Sequence, residues 1–429
     1  MKTIITFLFA LFVFTSCTQT VPNETRTLLS ESAPVNEGMS EERLGRIDVM
    51  LTEAIAQNQI PGAVALVARN GKIVYYKAFG MADNETNRSL QRDDIFRIAS
   101  QTKAITSTAV MMLWEEGEFS LDDPISRYIP EFENAVIFES FNEADSSFTG
   151  RPASTPITIR HLITHTSGIG YGMIDDDNFR KIYQKAGIID AFTTEDVSIE
   201  ENIKKLAKLP LHHDPGAKFR YSEGLDVLGY LIEIVSRKPL DQFFKERIFD
   251  PLGMEDSYFY LPDSKKSRMV SVQSKQDGKW VKYPVSPYYD PDYPIKGAMS
   301  FFSGGGGLSS TAKDYACFLQ MYLNNGEYNG VRLLSRTTVQ TIMSNQVGDL
   351  LGESGSYYGL AFGVLDDKGA GMGGRSSEGT FEWGGYFNTQ YFADPVENVI
   401  GILMKQTQDT WSDETGWKFR LLVGQAIDD

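Results

Sequence analysis

The chain is poor in the residues that most often announce a function. Two cysteines in 429 residues, Cys17 and Cys317, exclude a disulfide framework. The four histidines fall in two local clusters, His161/His165 and His212/His213. With no G-x-S-x-G in the chain, an α/β-hydrolase triad is not expected. His161 and His165 have helical i, i+4 spacing, but there is no H-E-x-x-H and no third ligand. Packing is their expected role, and the sequence calls for no metal and no cofactor. Gly304 to Gly307 are not followed by the G-K-[ST] of a phosphate loop, so they read as a tight turn beside a cleft. Basic residues are in deficit: Lys+Arg 41 against Asp+Glu 57 gives a formal charge of −16, with no basic tract, which argues against nucleic acid as a partner. There is no internal repeat and no low-complexity segment.

The N terminus carries Lys2, an apolar run from Ile4 to Phe14 too short to span a bilayer, and then Thr15-Ser16-Cys17. This predicts a signal peptide over residues 1–16 with a lipobox-like end. Cys17 is then the lipidation site, residues 17–38 are a polar tether, and the protein is exported and anchored to a bacterial envelope membrane. Cys317 sits in an apolar helical pattern with Tyr315, Phe318, Leu319 and Met321, as a buried thiol does. A hydrophobic fraction of 41% over this length supplies a large core.

The most informative stretch is Ser100-Gln101-Thr102-Lys103. It opens a nearly all-apolar helix predicted over Ser100 to Glu116, carrying Ala104, Ile105, Ala109, Val110, Met111, Met112 and Leu113. Residues three apart share a helix face, so the Lys103 amine can reach the Ser100 hydroxyl. Desolvation disfavours an ammonium, which makes a buried lysine a usable proton acceptor and Ser100 a nucleophile without histidine.

The run Phe96 to Lys103 resembles the nucleophile segment of the serine β-lactamase and penicillin-binding protein superfamily, in the branch shared by class C-like enzymes and family VIII carboxylesterases. Ile159 to Gly168, Pro215 to Ser222, Asp250 to Met254, Gly304 to Thr311 and Trp383-Gly384-Gly385 follow in the order this family requires, over roughly residues 40 to 425. The resemblance implies an α+β, β-lactamase/transpeptidase-like fold: an α/β sandwich on an antiparallel sheet with an inserted helical domain.

Pattern alone points the same way. Ser40 to Gln57 reads as a helix, and Gly62 to Ala68, Asn70-Gly71 and Ile73 to Tyr76 read as a hairpin. Tyr358 to Val364, Thr380 to Trp383, Gln390 to Ala393 and Val399 to Met404 read as strands, and Trp417 to Ile427 as a closing helix. The expected units are an α/β domain from 39–120 and 296–429 and a mainly helical domain over 121–295, which includes helices at Asp226 to Val235 and Pro239 to Ile248. Phe138 to Thr155 and Asp263 to Met299 are long for loops; the aromatic and proline content of the second suits a wall over the cleft. Asp175, Asp176 and Asp177 read as a solvated loop.

By resemblance, Tyr221 holds the position of the family's catalytic tyrosine and relays a proton to the leaving group; both Lys103 and Tyr221 qualify as the acylation base. Glu223 stands where asparagine is usual, and is expected either to point at Lys103 or to face solvent. Trp383-Gly384-Gly385 stands where Lys-Thr-Gly is usual, as in family VIII esterases, and removes the cation that meets a substrate carboxylate. The glycines let the strand edge approach a substrate. The backbone amides of Ser100 and Tyr386 form the implied oxyanion hole. The expected activity is a serine hydrolase working through an acyl-enzyme, an esterase acting on a small acyl substrate. A D-Ala-D-Ala carboxypeptidase, D-amino-acid peptidase or weak β-lactamase is the nearest alternative, and a binding or sensor protein for cell-wall fragments or β-lactams the more distant one.

Overall fold

The computed structural model describes residues 29–172, 174–286, 290–374, 376–408 and 413–429. The expected signal peptide, Cys17 and the first part of the tether lie outside them. The hairpin forms as its turn dictates. Asn70 and Gly71, at φ 54° and 74°, reverse the chain between β2 (Gly62–Arg69) and β3 (Lys72–Asp83) with the backbone twist that suits a two-residue turn. β1 (Ser30–Glu31) pairs parallel to β3. The late strands are β4 (Ser356–Tyr358), β5 (Gly363–Leu365), β6 (Phe381–Gly385), β7 (Thr389–Asp394) and β8 (Val399–Met404). They join the early ones in the order β1-β3-β2-β8-β7-β6-β5-β4, antiparallel apart from the first pair.

The two ends of the chain meet where β2 pairs with β8, with Leu66 opposite Ile402. Both strands are buried along their whole length, which explains why they read as continuous apolar runs. Val64, Leu66 and Ala68 share one core with Ile402 and with α2 (Thr102–Glu115). Ala63, Ala65 and Val67 share the other with Leu44, Ile47 and Leu51 of α1 (Glu41–Ala56), together with Phe419 and Val423 near the C terminus. Ser40 caps α1, accepting from the Arg43 amide at 3.3 Å. α3 (Gly224–Ser236) packs on α2 from the intervening segment. α4 (Ala312–Leu323), capped by Thr311, buries Cys317, and α5 (Thr415–Gln425) closes the chain.

Several expectations are corrected. Residues 29–38 are not tether: Leu29 is buried, its amide donates to the Tyr328 hydroxyl at 2.6 Å, and β1 extends the sheet edge. The run Tyr358 to Val364 is two strands, because Gly359 donates to the Phe362 carbonyl and turns the chain; a side chain at Gly359 would strike the Ile342 carbonyl. The stretch 138–155 is mostly a hairpin of Val136–Asn142 with Ser147–Pro152. Within 263–299, Gln273–Gln276 and Lys279–Lys282 form a hairpin on Asp277-Gly278, and Tyr293–Lys296 is a short helix. The expected helix over Pro239 to Ile248 is α-helical only over Leu240–Phe244, then widens into a π-helical turn at Lys245–Phe249. Among the described residues no helix is long and apolar enough to cross a membrane.

Candidate active site

The approach to Ser100 is fixed from both sides. Phe96–Arg97 pairs with Ser309–Ser310, and the buried Arg97 guanidinium donates to the carbonyls of Val270 (2.7 Å) and Pro291. Burial pulls the Arg97 guanidinium down to about 10. Ala99 is held at φ 43°, a left-handed conformation costly for a residue with a Cβ. The chain therefore tightens into a 3₁₀ turn at Ala99–Gln101, and α2 begins at Thr102, two residues later than its composition predicts. Ser100 stays half-buried while Lys103 is 1% exposed. The Lys103 Nζ lies 3.5 Å from Ser100 Oγ and donates to the Gly305 carbonyl at 2.6 Å. It also lies over the rings of Tyr221 (4.6 Å) and Tyr171 (5.1 Å).

Tyr221 is aimed by its neighbours. Asp175 is not solvated: it is buried and accepts from Arg220 Nη2 at 2.5 Å, from the Tyr171 amide at 2.8 Å and from His212 Nε2 at 3.1 Å, tying three segments together beside Tyr221. Asp176 caps the helix Asp177–Ala186. The Tyr221 ring stacks on Tyr171 at 5.8 Å and 2°, on Trp383 at 5.8 Å and 29°, and against His165 at 4.6 Å. Its hydroxyl is buried with no hydrogen-bond partner among the described residues.

The two histidines of the first cluster do not share a helix. His161 closes a capping box with Thr158 on Ile159–Ile163, and His165 lies beyond that helix at φ 58°. His165 Nδ1 accepts from the Ser222 amide at 3.2 Å, which places the ring proton on Nε2. Burial and the adjacent Lys103 hold this imidazole well below its ordinary pKa.

Glu223 meets neither expectation. It is 1% exposed, so it does not face solvent. Burial, with the carboxyls of Asp190 and Asp226 beside it, raises it well above the usual carboxylate range. The acid that senses Lys103 is Asp226, one turn further along α3. It accepts from Ser303 Oγ at 2.5 Å and from the Gly305 amide at 3.1 Å, so it holds the backbone N–H of the same residue whose carbonyl accepts a hydrogen bond from Lys103. Burial raises the Asp226 carboxyl and Lys103 opposes that rise. The signal in the sequence was a lone acid in the apolar run Gly224 to Leu231. Tyr171 was missed as well; its signal is the Gly168, Gly170, Gly172 alternation that lets backbone and rings crowd together.

Trp383, Gly384 and Gly385 lie on β6, whose end runs beside the Ala99–Gln101 turn. A Cβ at Gly385 would collide with the Ile98 carbonyl, so glycine is required for this approach. Trp383 presents its ring to Tyr221 and Tyr358. Tyr386 follows at the β6–β7 turn, its carbonyl accepting from Gln408 Nε2 at 2.6 Å. A separate cavity of about 760 Å³ lies against α5, lined by Phe392, Trp417 and the Glu382–Arg420 ion pair, and none of the residues just described except Trp383 and Gly384 borders it.

A family model described as Beta-lactamase matches residues 47–425. The chain is 31% identical over 381 residues to esterase EstB of Burkholderia gladioli, covering 84% of this chain and 90% of the relative. Among solved structures it resembles EstCE1, described as a hydrolase with promiscuous acyltransferase activity (TM-score 0.77, 26% identity, 90% of this chain and 99% of that one). It also resembles unliganded simvastatin synthase (LovD) from Aspergillus terreus (TM-score 0.72, 25% identity, 90% and 98%).

Proposed function

The chain belongs to the β-lactamase family and is a serine hydrolase of esterase type, and we propose that it cleaves small neutral esters through an acyl-enzyme on Ser100. The observation that carries the assignment of Ser100 is the buried Lys103 amine. It stands 3.5 Å from Ser100 Oγ, with no carboxylate at ion-pair distance among the described residues. Ser100 Oγ attacks the ester carbonyl carbon as its proton passes to the Lys103–Tyr221 pair. The Tyr221 hydroxyl, buried and unpartnered, delivers a proton to the departing alkoxide. Backbone amides of Ser100 and Tyr386 receive the oxyanion. Water then attacks the acyl-enzyme carbonyl, gives its proton back through the same pair, and releases the acid and free Ser100.

The aromatic layer Tyr171–Tyr221–Trp383 supports the neutral substrate. The cations nearest this layer are engaged: Arg220 with Asp175, and Lys103 with Gly305. A missing partner for a substrate carboxylate costs about 1.5–3 kcal/mol. Neutral short-chain esters are therefore expected to exceed penicillins and D-Ala-D-Ala peptides in kcat/KM by roughly tenfold to a hundredfold. The test is intact-mass analysis after a fluorophosphonate, a penicillin and a short ester, with Ser100→Ala as control. Labelling of Ser100→Ala would remove the nucleophile, faster β-lactam than ester turnover would support the peptidase or β-lactamase alternative, and a single acylation without release would support the sensor alternative.

Export and lipidation at Cys17 complete the proposal, on the strength of Lys2, the Ile4 to Phe14 run and Thr15-Ser16-Cys17. Mass analysis of the mature protein from membranes, with Cys17→Ala released to the soluble fraction, tests it.

A further inference from the structure

Ser100 has aromatic rings on two sides. On the Lys103 side are Tyr171, Tyr221 and Trp383. On the Ala99 side a second group converges from three separate segments. Phe192, only 4% exposed, lies 5.1 Å from Phe387, 5.3 Å from Tyr293 and 6.1 Å from Tyr386, the last pair stacked at 26°. Ala99 belongs to this same cluster, which places it directly beside the nucleophile turn.

The position of Phe192 is built rather than incidental. Its ring packs on the turn at Gly306, 3.4 Å from where a Cβ there would stand, and the neighbouring residue of that turn, Gly305, holds Lys103. Ala191 before it is held at φ 96°. The Phe192 carbonyl accepts from the Asp290 amide at 2.9 Å, which fastens it to the long 263–299 insertion. Phe192 is buried behind Tyr386, which is 37% exposed and is the accessible member of this wall.

We propose that Tyr386 and Phe192 determine acyl specificity, forming with Tyr221 and Trp383 a slot around Ser100 that selects flat, uncharged aromatic acyl groups of the benzoate type. A ring between two aromatic walls gains offset-stacked and edge contacts that a flexible alkyl chain of equal size does not. This inference rests on Ser100 as nucleophile.

The experiment compares p-nitrophenyl benzoate with p-nitrophenyl butyrate, each kcat/KM divided by the ester's rate of alkaline hydrolysis. The wild-type benzoate-to-butyrate ratio is expected above one. Tyr386→Ala should lower it by about threefold to tenfold and Tyr386→Phe should keep it. Phe192→Leu provides a second reduction by a volume-similar change. A wild-type ratio below one overturns the inference, as does a ratio within twofold of wild type in both Tyr386→Ala and Phe192→Leu while fluorophosphonate still labels Ser100. Loss of the nucleophile reading shows differently, as full labelling or turnover in Ser100→Ala.

Discussion

Two lysines in this protein, Lys103 and Lys405, are each 1% exposed, and their surroundings could hardly differ more. Lys405, just past β8, is closed by an ion pair to Asp413 and by the Thr415 hydroxyl at 2.8 Å. Burial pulls its pKa down and Asp413 resists. Asp413 in turn takes Asn388 Nδ2 at 2.9 Å and the Thr415 amide at 2.9 Å, so the pair fastens the β6–β7 turn to the start of α5. Lys103 has a peptide carbonyl, a serine hydroxyl and two ring faces instead. Equal burial thus yields a strut in one place and, on the proposed mechanism, a proton-exchanging amine in the other. An ion pair must break before its lysine can exchange a proton, whereas Lys103 can exchange one with Ser100 directly.

Lys103→Met is the strongest way to break that comparison. Methionine keeps most of the buried volume, so stability should change little, while kcat should fall by about 10²–10⁴, the range of a lost general base. Lys405→Met strands the Asp413 carboxylate and should cost about 3–5 kcal/mol of stability, with the double variant Lys405→Met/Asp413→Leu recovering much of it. Single-turnover acylation and urea unfolding of the three proteins check both halves. If Lys405→Met lost activity as completely as Lys103→Met at unchanged stability, the two lysines would not be different in kind.

Asp226 and Glu223 sharpen the comparison at a smaller scale. Asp226 faces Lys103 through Gly305, while Glu223 faces Asp190. Asp226→Asn keeps an oxygen for Ser303 and Gly305 but removes the charge. The expected results are a fall in kcat of about tenfold and an acid limb of the pH–rate profile moved to lower pH, because a carboxylate that favours the neighbouring ammonium is gone. Glu223→Gln should leave that limb in place. A shift with Glu223→Gln and none with Asp226→Asn would reverse the two assignments.

Much of this was legible in the sequence, for identifiable reasons. β2, β3 and their turn follow from two apolar runs around Asn70-Gly71, and α1 from Ser40 and its apolar spacing, since these signals are local. Ser100, Lys103, Tyr221 and Trp383 do come together in one cluster of contacts. What was not legible depends on partners far along the chain. Glu223 could not be oriented without knowing that Asp190 lies beside it, and Asp175 looked solvated because Arg220 and His212 reach it only after folding. The onset of α2 was missed by two residues because Ala99 is forced to positive φ by tertiary packing that no propensity records.

The acid counterpart of the comparison offers the smallest effect and the cleanest sign. Asp413 is a buried carboxylate with a cation, and despite the upward push of burial, Lys405 and Thr415 bring its pKa below the ordinary value. Asp314, at the start of α4, is buried with hydrogen bonds only: its Oδ2 accepts from the Asp256 amide at 2.7 Å and from Ser257 Oγ at 3.0 Å. Burial pushes it up to about 7. Its folded pKa thus exceeds the ordinary value of about 3.9, so the native state binds more protons between those two values. The stability that Asp314 contributes is fully present below about pH 4 and is lost as pH rises toward 7, at up to about 1.4 kcal/mol per pH unit. Asp413 has the opposite sign, its contribution present at neutral pH and lost only in acid. Asp314→Asn should therefore flatten the fall of urea-derived stability between pH 4 and 7 and leave the acid side unchanged, whereas Asp413→Asn should lower stability at pH 7 and converge toward wild type as pH falls below 4. Parallel curves for wild type and Asp314→Asn from pH 4 to 7 would mean that Asp314 is not held protonated, and that burial without an ion pair does not by itself alter proton binding in this protein.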